Sequence, residues 1–394
     1  YALSDGQGGW RVLPGGLVRT APRGGNTVSM QRGGSSQDAW IITGDAVDDS
    51  TLLPPPMRPQ DLVNHHRVVT SRAAENLFWL GRYCERAEFS ARLARITLRA
   101  LSGDDDMGPA VLGMLDQWCR STGLIEPEAP ELSDSPHAFE RAIVRGLVPG
   151  QHQGGIVQNL QALGSAASQV RERLGGDHRQ WIASATALEL LPASARRDEL
   201  QSTQALRGLE QLTEVLSAIT GAQTDRMTRD DGWRLLSIGR HIERLMQLGD
   251  ALAVAFHTGA VHSDSGFNLL LALFDSTITY RALYQKRLEI PPLLDLLMLD
   301  RENPRALGWV AQTLRARMAK LPGEAADKDA LLALAPDPDD WHLPELCTHT
   351  NELHYTWLEL TLTQAVDSAW RLSDDISRRY FAHANASDRT LGGY

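Results

Sequence analysis

The chain has 394 residues, 49 acidic and 39 basic, for a net charge of −10, and its isoelectric point is near 5.7. With 42% hydrophobic and 22% charged residues the composition is that of a folded globular protein, and the acidic balance argues against nucleic acid as a partner. Cys84, Cys119 and Cys347 are scattered and form no CxxC pair, which argues against a disulfide scaffold or a thiolate metal site, and the longest apolar runs, such as 269–274, fall well short of the ~20 residues that span a bilayer.

Ten of the 33 glycines lie in the first 50 residues. Between the Gly-Gly pairs sit short β-type pieces at 10–13, 27–30 and 39–43, too few to make an independent sheet. They predict the end of a β-containing domain. The first residue is Tyr1 and no basic-then-apolar leader follows it, so the chain is expected to continue a longer, cytoplasmic polypeptide. Pro54, Pro55, Pro56 and Pro59 then predict a stiff linker. The expected division is 1–48 for the β-containing remnant, 49–70 for the linker, 71–386 for a helical domain and 387–394 for a tail.

From 71 onward the periodicity is helical. Leu77, Leu80, Cys84, Ala87, Ala91, Ala94 and Leu98 keep a 3-4-3-4 spacing, as do Ile156, Leu160, Leu163, Ala167, Val170 and Leu174. Ala205, Leu209, Leu212, Leu216 and Ile219 form a third stripe, and Leu235, Ile238, Ile242 and Leu245 a fourth. Further helices are expected near 109–120, 137–147, 178–191, 264–285, 304–320 and 345–371, with 126–135 as a loop. The fold class is therefore all-α: a multi-helix bundle with a short β-containing N-terminal tail.

One hexapeptide recurs. Gly81-Arg82-Tyr83-Cys84-Glu85-Arg86 returns 158 residues later as Gly239-Arg240-His241-Ile242-Glu243-Arg244, which predicts two related halves. On the first helix Arg82 and Arg86 project opposite the Leu77–Leu80–Cys84 stripe, beside Phe78, Trp79 and Phe89. A helix apolar on both sides is central, so these arginines are expected to be at least partly buried. Arginines at i and i+4 repel, and burial makes an uncompensated charge costly. Each copy carries one positive charge too many. A purely structural Arg/Glu network, with Glu75 as an added acid, would remove the excess. So would a carboxylate or phosphate ligand held by arginine forks. Because Trp233 stands where Glu75 would repeat, the residual anion preference is expected near the second copy, with Arg305 as a supporting cation.

Other patterns carry less. Asn303 and Pro304 fit the N-cap and first position of a helix, where Arg305 opposes the macrodipole and so needs an acid or a ligand. Ser276, Tyr280 and Tyr284, with Arg281 beside them, read as a packed helix face or, less simply, a pocket wall. His349, Glu352 and His354 lack metal-site spacing, and no metal site is expected. His65 and His66 read as solvated. The turn Gly33-Gly34-Ser35-Ser36 could present amides to a phosphate.

The segment 71–88, Ser-Arg-Ala-Ala-Glu-Asn-Leu-Phe-Trp-Leu-Gly-Arg-Tyr-Cys-Glu-Arg-Ala-Glu, resembles the opening motif of the bacterial alpha-E domain, an all-helical domain named for its Glu-Arg motif. The second Gly-Arg-x-x-Glu-Arg, Tyr280-Arg281, Asp300…Asn303-Pro304-Arg305 and Leu372-Ser373-Asp374…Tyr380-Phe381 extend the resemblance over about 71–386. Residues 11–19 and 29–40 resemble the C-terminal tail of a circularly permuted ATP-grasp domain, with Gln37 where that pattern has Lys. This resemblance marks Arg19, Gln31, Gly33, Gly34, Ser35 and Asp38 as tail candidates. It implies ATP and magnesium as cofactors of the longer protein, with none held by this chain.

The resemblances together imply a carboxylate–amine ligase making peptide or amide bonds. The helical domain would be its accessory part, inactive alone, beside an upstream ATP-grasp domain and a carboxylate or peptide substrate. Transglutaminase-like or proteasome-like peptidase systems are the further partners implied. The anion-site candidates are Arg82, Arg86, Arg240, Arg244 and Arg305, supported by Glu75, Glu85, Glu243, Tyr280 and Arg281. The alternative is a protein–protein interaction scaffold whose Arg/Glu network is only structural.

Overall fold

A computed structural model describes residues 2–4, 8–12, 15–20, 35–42, 44, 69–103, 107–150, 155–191, 201–285, 287–350 and 354–381. The expected strand at 27–30, the Pro-rich stretch, His65, His66, Glu352 and the tail 387–394 lie outside the described residues, as do Gln31, Gly33 and Gly34. The chain divides into two compact units, 1–66 and 67–394.

In the first unit β1 (Ala2–Ser4) pairs antiparallel with β2 (Trp10–Val12), Leu3 opposite Arg11. A second antiparallel ladder joins β3 (Gly15–Thr20) to β4 (Ser35–Trp40), Leu17 opposite Asp38 and Thr20 opposite Ser35. The strand expected at 39–43 thus begins earlier and ends at Trp40. Among the described residues there is no larger sheet. Trp10, Trp40 and Ile42 are 72%, 88% and 99% exposed, so these ladders enclose no core of their own.

The second unit is helical. Helix α1 (Ser71–Leu101) runs 31 residues, roughly 46 Å, and starts where the Thr70 hydroxyl accepts from the Ala73 N–H at 3.3 Å. Then follow α2 (Pro109–Ser121), α3 (Pro136–Gly146), α4 (Gly155–Ser168), α5 (Gly176–Ala187) and α6 (Gln201–Gly221). Helix α7 (Asp231–His257) opens the second half, its N-cap Asp230 accepting from the Trp233 N–H at 3.0 Å. Beyond it lie α8 (Asp264–Leu273), α9 (Thr277–Tyr284), α10 (Ile290–Leu294), α11 (Leu307–Met318), α12 (Ala325–Leu334), α13 (Leu343–Leu346) and α14 (Thr356–Tyr380). Helix α1 packs on α4 and α6 of its own half, and α7 on α11 and α14 of its half. The most extensive packing joins α1 to α7. The two motif helices are therefore the axis of an all-α bundle built from two related halves, each with almost every side chain of its middle turns buried.

Three expected helices are divided or shortened. The stretch 264–285 breaks because Asp275 adopts φ 53°. The Ser276 N–H then bonds the Leu271 carbonyl and the Asp275 N–H the Ala272 carbonyl, a helix stop that usually signals itself with glycine. The stretch 345–371 separates into α13 and α14. Helix α11 begins at Leu307, not Pro304: the Asn303 side chain accepts from the Arg305 N–H at 3.0 Å and donates to Ser276 Oγ and the Leu296 carbonyl. It tethers a turn to the α8–α9 corner instead of capping a helix.

The α1–α7 contact is made by backbone. A Cβ on Gly81 would sit 2.1 Å from the Leu236 carbonyl oxygen, and one on Gly239 2.2 Å from the Phe78 carbonyl oxygen. The two glycines are equivalent in the repeat, and the clashes are reciprocal, each with the residue three before the partner glycine. Gly239→Ala should therefore separate the helices and cost ~3 kcal/mol or more in urea unfolding, as overpacking at an immovable backbone does. Gly113→Ala, in α2 with nothing within 4 Å, should be neutral or stabilise by ~0.5–1 kcal/mol.

Candidate functional site

Bringing Gly81 against Gly239 forces the charged faces of the two motifs together, and the ion pairs cross. Glu243 receives both arginines of the first copy: Arg82 Nε donates to Oε2 at 2.7 Å and Arg86 Nε to Oε1 at 2.6 Å. Glu85 receives both arginines of the second. Arg244 binds it through Nε at 2.6 Å and Nη2 at 2.8 Å, and Arg240 Nε donates at 3.3 Å. Arg82 is 1% exposed, Glu85 2% and Glu243 4%.

The remaining chain completes the network unequally. Arg82 spends Nη1 on Ser373 Oγ of α14 at 2.7 Å and turns Nη2 to Met246 Sδ at 3.7 Å. Its guanidinium lies over the rings of Trp79 and Trp370. Arg244 spends Nη1 on the Pro304 carbonyl at 3.3 Å. Arg305 reaches in from the same turn, donating to Glu88 Oε1 at 2.6 Å and lying 3.8 Å from Glu85. Arg92 donates to Glu88 at 3.2 Å and to the Leu273 carbonyl at 3.2 Å.

The expected compensating acid was misassigned. Glu75 is half-buried and makes none of these ion pairs. Glu88 takes that place, two residues beyond the hexapeptide. Tyr280 and Arg281 are not brought to the network as supports, and Tyr280 instead belongs to the packed helix face that the spacing suggested. Tyr280 is a core residue whose hydroxyl donates to the Arg287 carbonyl at 2.5 Å, and Arg281 is exposed, with no ion pair among the described residues. Of the tail candidates, Asp38 is exposed on β4, while Arg19 and Ser35 lie in the paired ladder β3–β4.

Electrostatics favours the charged state of the acids. Burial would raise Glu85, but Arg244, Arg240 and Arg305 outweigh it and hold the carboxyl well below the usual carboxylate range. Burial and Glu85 push Glu88 up, and Arg305, Arg244 and Arg240 bring it down. Burial lowers Arg82 despite Glu243, and burial with the neighbouring Arg305 lowers Arg92 to about 10. Beside the network His241 is pushed down to about 3 by burial and the Arg244 charge, and its Nδ1 lies 2.6 Å from the Ser237 carbonyl. Burial raises the thiols of Cys84 and Cys119 to about 12, which leaves both unreactive.

Arg86 is the motif arginine that opens on a cleft. Its Nε holds Glu243, its side chain is 28% exposed, and its two Nη groups bond nothing among the described residues. They face a cleft of about 430 Å³ bounded by α1, α7, the start of α4 and Trp370. Arg120 also lines it, but its donors are spent on Asp116 and the carbonyls of Pro127, Ala129 and Pro130. Farther along α7 stand Gln247, whose buried Oε1 lacks a partner, and Asp250. Asp250, an exposed residue on α7, also lines the cleft, makes no ion pair or hydrogen bond among the described residues, and is pushed up to about 6 by partial burial. Arg240 of the second copy, where the sequence pointed, is half-used in the same way: its Nε meets Glu85 and its Nη groups bond nothing among the described residues, with the side chain 11% exposed.

A crossed Arg/Glu lock between two central helices of an all-α bundle defines a class of helical domain. The Alpha-E family, described as "a predicted alpha-helical domain with a conserved ER motif", matches residues 69–381, and this chain belongs to it. The uncharacterized protein Rv2567 of Mycobacterium tuberculosis is 24% identical over 346 residues, which cover 82% of this chain and 37% of the relative. The uncharacterized protein Mb2597 of Mycobacterium bovis aligns with the same identity and coverage. The chain therefore spans well under half the length of the curated relatives it matches. No solved structure matches. Among the described residues no helix is long and apolar enough to cross a membrane, and no group of three or more His, Cys, Asp or Glu could hold a metal ion.

Two outcomes follow for stability. Glu85→Gln keeps the shape but strands Arg240 and Arg244, so chemical denaturation should show a loss of ~3–5 kcal/mol. Arg86→Gln should cost clearly less, because Glu243 keeps Arg82. Lowering the pH should destabilise the fold in two stages. The neutral native His241 and His178, the latter lowered to about 4 by burial, bind protons later than their unfolded counterparts at ~6.5. Their contribution, full above ~6.5, is lost as pH falls toward those depressed values. The depressed Glu85 adds its loss only below the unfolded carboxylate value of ~4.3. Denaturation midpoints measured against pH should decline from ~6.5 downward, and His241→Gln should flatten the first stage.

Proposed function

We propose that this chain is the accessory helical domain of an ATP-grasp-type carboxylate–amine ligase, and that its cleft holds the substrate to be joined. The crossed Arg/Glu network is the lock of that domain. The observation that carries the reading is the half-used guanidinium of Arg86. Protein groups saturate Arg82 and Arg244, whereas Arg86 and Arg240 each keep two Nη groups unbonded among the described residues, and it is Arg86 that lines the cleft. Here two Nη groups are left facing a cleft large enough for a small polar substrate. Arg86 would orient a substrate carboxylate, since a guanidinium binds it in bidentate fashion and cannot itself act as a base at neutral pH. The resemblance of residues 11–19 and 29–40 to an ATP-grasp tail supports the ligase context. So does the greater length of the relatives, which leaves room for a catalytic domain. ATP and magnesium would belong to that domain, where the acyl phosphate forms.

A second reading, an interaction scaffold, draws on the saturation of Arg82 and Arg244 by protein groups. Arg86→Lys distinguishes the two in the longer polypeptide. Lysine keeps the charge that Glu243 needs but not the fork. On the ligase reading this variant should raise the KM for the carboxylate or amine substrate at least ~10-fold, about 1.4 kcal/mol of binding, with its unfolding midpoint unchanged. Wild-type kinetics in that variant would support the scaffold. The 394-residue chain by itself should release no phosphate from ATP, in a coupled assay, with or without added amino acids.

A further inference from the structure

We infer that the helical unit associates with a second copy of itself, the basic and apolar surface of α9 in each copy seating on an acidic, tryptophan-lined groove beside α14 in the other. Both surfaces are separate from the Arg86 cleft, and the inference does not draw on the ligase reading.

Helix α9 is poorly covered by its own chain. Tyr280 is its buried residue, Thr277 and Tyr284 are half-buried, and the rest is exposed, Ile278 at 85% and Leu283 at 58%. Gln285 ends the helix at φ 62°, a conformation that is costly without glycine. The chain then doubles back, so that the Tyr280 hydroxyl donates to the Arg287 carbonyl at 2.5 Å and accepts from the Glu289 N–H at 3.4 Å. Leu288, between those two anchors, is exposed as well. Arg281 and Arg287 are exposed and make no ion pair among the described residues. Over 277–289 the sequence carries three basic residues and one acid, in a chain whose net charge is −10.

The complement lies on the same unit. A groove of about 520 Å³ runs between α14 and the segment 332–341, lined by Trp341, Trp357 and Leu360, with Trp357 53% exposed. Arg315 also lines it, but its donors are spent on the Leu332 and Ala335 carbonyls and on Asp337. Asp340 and Glu345 line it exposed and without an ion pair among the described residues. Apart from Trp370, which lines the Arg86 cleft, these two surfaces hold every exposed large hydrophobic side chain described in the helical unit. Apolar surface collected in this way marks a contact, and charge selects the occupant: each surface holds unpaired charges of the sign that the other lacks. The surfaces are also neighbours, because α10 begins two residues after Leu288 and packs on α13, which carries Glu345. Both stay exposed, so neither covers the other within one copy. A two-fold axis between neighbouring complementary surfaces closes both contacts at once, as most homodimers do.

The test is sedimentation velocity of the 394-residue chain from ~1 to ~100 μM, the range in which a dimer of micromolar Kd dissociates. A reversible monomer–dimer equilibrium is expected. Arg281→Glu sets acid against acid and Glu345→Arg sets base against base. Each acts twice in a two-fold dimer, and each should weaken association ~10-fold or more. An equimolar mixture of the two variants should recover dimerisation, because one contact of the mixed dimer is then wild-type and the other is the same pair inverted. Trp357→Ala should weaken association by a similar factor, since it empties the apolar part of the contact. All three side chains are exposed, so these variants should fold normally, and their unfolding midpoints check that. A monomer at every concentration overturns the proposal and leaves the two surfaces to a different partner. A dimer that these substitutions do not weaken overturns it too, as does a mixture of Arg281→Glu and Glu345→Arg that stays as weak as either variant alone.

Discussion

Two carboxylates, Glu85 and Glu243, lie in the centre of the bundle where water cannot hydrate them, and each is neutralised by the arginines of the opposite helix. Everything else in the helical domain is arranged to make that exchange possible. The helices must approach until backbone meets backbone, which only glycine at 81 and 239 permits. The arginine stems must cross the interface, so the faces that carry them must also carry the aromatic rings of Phe78 and Trp79 that exclude water. An ion pair of this kind is a poor source of stability compared with apolar packing of equal volume. Its physical effect is on specificity: a helix rotated or slid by one turn would leave a buried charge without a partner. The lock therefore fixes register and angle between the two halves.

The lock is symmetric at its core and asymmetric at its edges, and the edges carry the chemistry. Around Glu85 the chain adds Glu88, Arg92 and the turn at 303–305, which satisfy Arg244 but not Arg240. Around Glu243 it adds Ser373 and Met246, which satisfy Arg82 but not Arg86. Each side keeps one half-used guanidinium, and that of Arg86 lines a cleft. Such an arrangement lets a rigid element present a single guanidinium in a fixed direction, because its Nε is clamped by a carboxylate that other residues hold in place.

The regular part of this structure is written locally. Stripes such as Leu77–Leu80–Cys84–Ala87 set the long helices, and the hexapeptide at 81–86 and 239–244 marked both the two halves and their central charges. Its glycines and arginines share the helix turns that must touch. Expectations failed where the decisive partner lies far off in sequence. Glu75 stands before the hexapeptide and Glu88 just after it, and it is Glu88 that faces Arg305, delivered from 217 residues away. Asn303-Pro304 has the composition of a helix start, but Ser276 and Leu296 bind the Asn303 amide and hold the segment as a turn. Asp275 ends α8 in a left-handed conformation that glycine would have announced.

The sequence by itself determined an all-α bundle, its two related halves and the burial of arginines that would need opposite charge, because periodicity and charge count are properties of single helices. Only the tertiary structure decided that the pairs cross between copies, that Arg82 and Arg244 are saturated, and that Arg86 and Asp250 line one cleft. Those facts depend on which donors remain after distant groups such as Ser373, Pro304 and Arg305 have taken theirs. Hydrogen-bond capacity left over at a buried site is a sum over every neighbour, and spacing within one helix does not contain that sum.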